Sequence, residues 1–306
     1  MAGPFWIAAD WGTSHLRVWR MEGHSVTAET RSDRGMGRSA PEAFEPALLD
    51  LVGPWLDGAG RVPVLACGMV GARQGWVEAA YVATPAPPGD PAASVPAPAR
   101  DPRIEVRILP GLCQQDPPDV MRGEETQVAG LLLETPSFDG LLCLPGTHAK
   151  WARVAGGKVV AFRTFMTGEL FALLSEQSVL RHSMPDDGWN DAAFAAGFEA
   201  SRTDPSALAR SLFTIRATGL LRDEPPGAAR ARLSGLLIGA EFAAMGAEAL
   251  SGAVAVIGGG AIAGVYRDAF RLAGAEPQVI SAETATLRGL CAARDALERT
   301  TPSAAT

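Results

Sequence analysis

Asp10, Gly12, Thr13 and Ser14 stand in the run A-A-D-W-G-T-S-H-L-R at 8–17, directly after the apolar stretch Phe5-Trp6-Ile7-Ala8-Ala9. A glycine at a turn lets backbone N–H groups approach an anion closely, and Thr13 and Ser14 add hydroxyl donors. Asp10, at the end of a strand, is placed to hold the water shell of a Mg²⁺ ion, which keeps several waters and draws on one or two carboxylates plus substrate phosphates. Taken alone, D-x-G-T is equally an ordinary hairpin turn. A second copy shifts that balance. Gly146-Thr147 follows Leu141-Leu142-Cys143-Leu144, and after each Gly-Thr step come a second strand, a Gly turn (Gly23, Gly157) and a third strand holding Val26 or Val160. One offset relates all four pairs. Two such turns can grip a phosphate chain from both sides. The second copy lacks an acid but supplies His148 and Lys150. A lysine there suits phosphate oxygens or simply points into solvent, and the histidine is a phosphate donor or a hydrogen-bonded structural residue.

Four further constellations could carry chemistry. In A-V-I-G-G-G-A-I-A-G at 255–264 a buried strand ends in Gly258, Gly259 and Gly260 and a helix begins, so backbone and helix N-terminus can face a nucleotide. The spacing of Gly258, Gly260 and Gly264 differs from the dinucleotide G-x-G-x-x-G, although Glu283 stands about 20 residues on, where a ribose-binding acid is expected. Close helix–strand packing is the plain alternative. No G-x-x-x-x-G-K-[ST] run is present. D-V-M-R-G-E-E-T-Q at 119–127 places Glu124 and Glu125 at a helix start. There they favour the helix dipole, or one of them takes a proton from an alcohol as general base. Adjacent helix positions diverge by about 100°, so only one faces inward. C-G-M-V-G-A-R-Q-G-W at 67–76 is a Gly-rich loop with Arg73, Gln74 and Trp76. The planar fork of Arg suits a carboxylate. R-T-F-M-T-G-E-L-F at 163–171 puts Thr167 and Glu169 at a strand–helix junction, where capping accounts for Thr167.

The elements that must position these residues alternate between strand and helix. Strands are predicted at 5–10, 15–21, 24–30, 62–67 and 103–109, and helices at 41–57 and 123–134. The Pro-rich stretch 84–102 has no periodicity and reads as a surface loop. The second half repeats the order, with strands at 140–145, 150–155, 158–165, 253–257 and 277–280. Its helices fall at 168–179, 261–273 and 283–298, and an inserted helical stretch covers 189–249. The last helix of that insert, over about 229–249, carries Leu233, Leu236, Leu237, Ala240, Ala244 and Leu250 on one face. The residues after Thr300 read as a frayed tail. Alternation of this kind indicates α/β layers, and the hairpins after each first strand make the sheets mixed. Two domains are expected, 1–138 and 139–300.

Bulk properties bound the function. The 306 residues suffice for two sizeable cores, and 47% apolar content is ordinary for a globular protein. A net charge of -7 argues against nucleic acid as a partner. Cys67, Cys113, Cys143 and Cys291 are scattered without a C-x-x-C pair, which suits free thiols in a reducing compartment. Asp10 interrupts the short apolar run at the N-terminus, so no signal peptide is expected, and no uncharged stretch of about 20 apolar residues is seen. The expectation is a soluble, cytoplasmic protein with a small-molecule substrate and no membrane partner. Homo-oligomerisation is left open.

Taken together, these segments resemble the actin-type ATPase superfamily that also contains sugar kinases. Its hallmark is a duplicated ribonuclease H-like domain, with a phosphate hairpin in each half and a Gly-rich adenosine segment in the second. Within it the chain resembles the 2-dehydro-3-deoxygalactonokinase family over nearly its whole length. The resemblance is strongest in A-D-W-G-T-S, G-M-V-G-A-R-Q-G-W, R-G-E-E-T-Q, P-G-T-H-A-K-W and F-M-T-G-E-L-F-A-L-L. It implies mixed sheets with flanking helices and a nucleotide in the interdomain cleft. It also implies transfer of the ATP γ-phosphate to the 6-hydroxyl of 2-dehydro-3-deoxy-D-galactonate in galactonate catabolism. On that reading Asp10 orients Mg²⁺, while Gly12, Thr13 and Ser14 hold phosphates with Gly146 and Thr147, Lys150 neutralising charge. Gly258, Gly259 and Gly260 line the adenosine site. Glu125 or Glu124 accepts the hydroxyl proton, and Arg73, Gln74 and Arg122 meet the sugar acid. The alternatives are a kinase of another keto-deoxy sugar acid, or a non-kinase ATPase switch on the same fold.

Overall fold

The computed structural model describes residues 5–38, 40–184 and 188–300, so the tail expected after Thr300 lies outside the described residues. The chain forms two compact units. The first comprises Met1–Phe138, Val154–Phe162 and Ser281–Thr306, and the second Asp139–Arg153 and Arg163–Ile280. A single cut between 138 and 139 therefore describes only the first passage between units, because the chain returns to the first unit twice.

In the first unit, β1 (Trp6–Trp11) is apolar almost throughout because it is central and covered on both faces. It pairs antiparallel with β2 (Leu16–Glu22), which pairs antiparallel with β3 (Ser25–Ser32). After α1 (Phe44–Leu56), β4 (Val62–Gly68) returns parallel to β1. Short strands follow: β5 (Tyr81–Ala83), β6 (Val95–Pro96), β7 (Ile104–Ile108), β8 (Gly111–Gln114) and β9 (Asp119–Met121), before α2 (Glu124–Glu134). The main sheet runs β3-β2-β1-β4-β7-β6, and β5-β8-β9 form a separate small sheet. Alternate β1 side chains enter two cores. Ile7, Ala9 and Trp11 pack with Phe44, Leu48 and Val52 of α1, whereas Trp6 and Ala8 pack with Leu290 and Cys291. The Pro-rich stretch holds little regular structure: β6, a single 3-10 turn at Pro91–Ala93 and an isolated antiparallel bridge from Ala86 to Val159.

The second unit begins with β10 (Gly140–Leu144), then the hairpin β11 (Ala149–Ala155) and β12 (Lys158–Phe165), then α3 (Thr167–Glu176). The tip of that hairpin counts with the first unit. The inserted helices are α4 (Asp191–Thr203), α5 (Leu208–Leu221) and α6 (Ala228–Met245). They are followed by β13 (Ala253–Gly258), α7 (Gly260–Leu272), β14 (Gln278–Ser281) and α8 (Ala282–Thr300). The sheet order β12-β11-β10-β13-β14 matches β3-β2-β1-β4-β7 position for position, which is the duplication in structural form. By length and composition Ala228–Leu250 could cross a bilayer, but 61% of its most apolar window is buried. It is a core helix, packed through Leu233, Leu236, Ile238 and Phe242.

Candidate active site

In the first unit, strand register sets Asp10 opposite Arg17. Arg17 Nη2 meets Asp10 Oδ2 at 2.5 Å, and Arg17 Nη1 lies 3.6 Å from Glu283. The turn between the strands is braced from one side. Gly35 N donates to Ser14 O (3.2 Å), Met36 N to Gly12 O (3.0 Å) and Gly37 N to Thr13 O (2.9 Å). A Cβ on Gly35 would stand 2.3 Å from Thr13 O, so only glycine allows this brace. A Cβ on Gly12 would meet nothing closer than His15 O at 3.6 Å. The bare backbone at Gly12 is therefore not a packing requirement of the turn, and it suits close approach of an anion.

The second unit repeats the construction. Its turn is braced by the start of α3, with Glu169 N donating to Thr147 O (2.9 Å) and His148 Nε2 2.6 Å from Glu169 Oε2. A Cβ on Gly168 would lie 2.3 Å from Gly146 O, whereas one on Gly146 would meet only His148 O at 3.8 Å. His148 is thus tied to Glu169. Lys150 is buried, and its Nζ donates to Thr164 Oγ1 at 2.9 Å.

Beneath this turn lies a buried acid. Glu241 Oε2 accepts from Trp151 Nε1 (2.7 Å), Oε1 accepts from Tyr266 O–H (2.6 Å), and the Thr167 hydroxyl also donates to it. Burial raises its pKa, and the three hydrogen bonds oppose that rise. Thr167 and Tyr266 line a cavity of about 600 Å³ together with Gly146, Gly168 and Gly264. A cavity of this size suits a nucleoside. Its lining continues through Ala261 and Ile262 of α7, just past the three glycines. Gly258 serves packing, since a Cβ there would sit 3.1 Å from Ala263 Cβ; at Gly259 and Gly260 it would meet nothing within 4 Å. The α7 N-terminus behind them offers N–H groups to an anion.

The two glutamates divide by environment. Glu125 is 1% exposed, and both its oxygens accept from Gly123 N, at 2.9 and 2.8 Å. Burial, reinforced by the Glu124 carboxylate, pushes its carboxyl up to about 8, against the Gly123 N–H and the Arg122 guanidinium. Glu124 is half-buried at the first position of α2, where its Oε2 accepts from Arg122 N at 3.0 Å. Cys67 is fully buried beside Asp10; burial first, then the Asp10 and Glu125 carboxylates, raise its thiol far out of reactive range.

The remaining candidates separate likewise. Arg73 and Gln74 stand exposed on the loop after β4, and Arg73 makes a long ion pair with Glu78 at 3.9 Å. Trp76, from the same loop, is core, set edge-on to Trp11 at 6.4 Å. Arg122 is buried, donating to Ala79 O (2.7 Å) and lying 4.2 Å over the Tyr81 ring. Among the described residues no group of three or more His, Cys, Asp or Glu side chains could hold a metal ion. A Mg²⁺ ion fits as one carried on phosphates and steadied by a carboxylate such as Asp10, rather than as one caged by protein. Sequence reading assigned no role to Arg17, Gly35 or Glu241. The first lay inside a quoted motif, and the last is signalled by a lone acid in the apolar run G-L-L-I-G-A-E-F-A-A-M.

The sequence model of the 2-keto-3-deoxy-galactonokinase family matches residues 10–293. A probable 2-dehydro-3-deoxygalactonokinase of Rhizobium meliloti (strain 1021) is 40% identical over 302 residues, covering 96% of this chain and 97% of that one. The 2-dehydro-3-deoxygalactonokinase of Escherichia coli (strain K12) is 34% identical over 291 residues, covering 93% and 96%. The crystal structure of a 2-dehydro-3-deoxygalactonokinase candidate from Sinorhizobium meliloti superposes with a TM-score of 0.87 at 39% identity, covering 95% of this chain and 99% of that one. Ligand-bound xylulose kinase from Lactobacillus acidophilus shares the fold alone, with a TM-score of 0.50 at 10% identity and coverage of 98% and 90%.

Proposed function

This chain belongs to the 2-keto-3-deoxy-galactonokinase family and is a sugar kinase of the actin-like fold, and on that premise we propose that it transfers the γ-phosphate of ATP to the 6-hydroxyl of 2-dehydro-3-deoxy-D-galactonate. The observation that carries the reading beyond family membership is the twofold construction of the Gly-Thr turns. Each is braced from behind by a glycine that no other residue can replace, Gly35 or Gly168, and each is bare in front.

Phosphoryl transfer asks chiefly for positioning and charge neutralisation. Gly12, Thr13 and Ser14 hold phosphate oxygens through backbone N–H groups and hydroxyls, as do Gly146 and Thr147. The α7 N-terminus and Gly259–Gly260 meet the nucleotide from the Gly-rich side. Asp10 is the carboxylate that would hold a Mg²⁺ ion carried on the phosphates, and such an ion would neutralise part of their charge. Arg17 holds the Asp10 carboxylate in place and keeps a cation beside the phosphate turn. Lys150, committed to Thr164, contributes by firming the β11–β12 hairpin behind the second turn.

The proton acceptor is Glu124. A general base must come within hydrogen-bond reach of the acceptor hydroxyl and must be ionised. Glu125 fails on both counts, being sealed from solvent and held mostly protonated at neutral pH. Glu124, at the first position of α2, is less buried than Glu125, so it is the member of the pair that a hydroxyl can reach. Glu125 sets the backbone turn from which Glu124 projects. The exposed Arg73 and Gln74 receive the carboxylate of the sugar acid, while Arg122 secures the loop that carries them. Acceptor-dependent ADP release, measured across a panel of keto-deoxy sugar acids, tests this reading. Stimulation by 2-dehydro-3-deoxy-D-galactonate supports it. Slow ATP hydrolysis stimulated by none of them marks an ATPase switch instead.

A further inference from the structure

Trp189 stands just before α4 with 43% of its surface exposed, yet its position is fixed on three sides. Its ring packs against Phe194 with centroids 5.4 Å apart and an interplanar angle of 37°. Its Nε1 donates to Asp191 Oδ1 at 2.9 Å. Its backbone is pinned by the turn before α6, where a Cβ on Gly227 would lie 2.3 Å from Trp189 N. A large apolar ring held this firmly while still open to solvent is a preorganised stacking surface, because little freedom is left to lose on binding.

The ring lines the same cavity of about 600 Å³ as Gly146 and Gly168, and it also borders an adjoining hollow. A nucleotide whose phosphates meet the Gly146–Thr147 turn thus has its nucleoside in a cavity with Trp189 in its wall. Ile262, 40% exposed, and Val265 from α7 bring apolar surface to the same cavity. We propose that Trp189 is the stacking wall for the nucleobase of the phosphoryl donor, with Ile262 and Val265 also in contact with the base. The inference rests on the reading of ATP as donor. Every base has a π-face, so a contact of this kind adds affinity without choosing between purines.

Calorimetric titration of the full chain with a non-hydrolysable ATP analogue, a GTP analogue and inorganic tripolyphosphate tests it. Trp189→Ala is expected to weaken both nucleotides by roughly 5- to 100-fold while leaving tripolyphosphate within about twofold. Trp189→Phe, which keeps an aromatic face, is expected to regain most of the loss. Unchanged nucleotide affinity in Trp189→Ala overturns the inference. So does an equal loss for tripolyphosphate, which marks a structural role for the ring. A wild-type chain that binds tripolyphosphate but gains nothing from a base overturns the inference alone. One that binds no nucleotide and no tripolyphosphate overturns the donor reading and the inference with it.

Discussion

Both carboxylate oxygens of Glu125 lie on a single backbone group, the N–H of Gly123, at 2.9 and 2.8 Å. Gly123 has a φ of 104°, a conformation that residues with side chains rarely adopt. The turn into α2 therefore combines a glycine with a buried acid that holds it, and Glu124 projects from its end. Glu124→Gln is expected to lower kcat by about 10²-fold or more with little change in nucleotide KM. Glu125→Gln, whose amide oxygen still accepts the Gly123 N–H, is expected to lose less. Steady-state kinetics of the two variants decide the matter, and the reverse ranking assigns the proton to Glu125.

Glu125 also makes a statement about stability. Its carboxyl is pushed up to about 8 in the fold, against 4.5 for an ordinary glutamate. Between those values the folded chain keeps a proton that the unfolded chain has released, so stability falls as pH rises through the window. Below it the effect is absent, and above it the penalty is complete. Glu125→Gln removes this term, so the Tm of the variant relative to wild type should climb steadily from about pH 5 to about pH 9. A difference that does not vary with pH contradicts the buried, protonated carboxyl.

The braced turns yield a contrast between two glycines. Gly168→Ala drives a methyl group to 2.3 Å from Gly146 O, so it should displace the turn, costing about 1–3 kcal/mol of stability and much of kcat/KM for ATP. Gly259→Ala meets nothing within 4 Å, and its φ of -108° and ψ of 152° suit any residue. It should leave thermal unfolding unchanged while weakening nucleotide binding. Full nucleotide affinity in Gly259→Ala removes that glycine from the site.

What was legible in the sequence was what is local. The Gly-Thr turns lie between short apolar runs, and Gly23 at φ 57° and Gly157 at φ 72° mark the hairpin reversals, so both copies of the strand–turn–strand unit could be located. The sheet of Tyr81–Ala83, Gly111–Gln114 and Asp119–Met121 could not, because its strands are short and its first pairing joins segments far apart in the chain. The grouping of α8 with the first unit was hidden for the same reason, being decided by side chains such as Leu290 packing under β1. Charge was the least legible property. Lys150, Arg122 and Glu241 are all buried, and a charged letter in a sequence does not announce the partner that permits burial. The glutamate pair was visible as a pair; which member faces solvent depends on how α2 sits over Cys67 and Gly68.

The two arginines near the expected sugar-acid carboxylate should behave differently. Arg73→Ala is expected to raise the KM for the acid roughly tenfold, the scale of one lost charged hydrogen bond, and to leave Tm unchanged. Arg122→Ala removes the bond to Ala79 O and the stacking over Tyr81, so it should lower Tm first. Thermal unfolding alongside kinetics separates the two. An unchanged KM in Arg73→Ala moves the carboxylate site elsewhere.

The most direct test of phosphoryl transfer to a sugar-acid hydroxyl is the structure of the product. The protein, incubated with ATP, Mg²⁺ and ¹³C-labelled 2-dehydro-3-deoxy-D-galactonate, is followed by ³¹P and ¹³C NMR. The expected product is a new phosphomonoester whose phosphorus couples to C6, formed in step with ADP. A phosphate on another carbon, or ADP and free phosphate without a phosphorylated sugar acid, contradicts it.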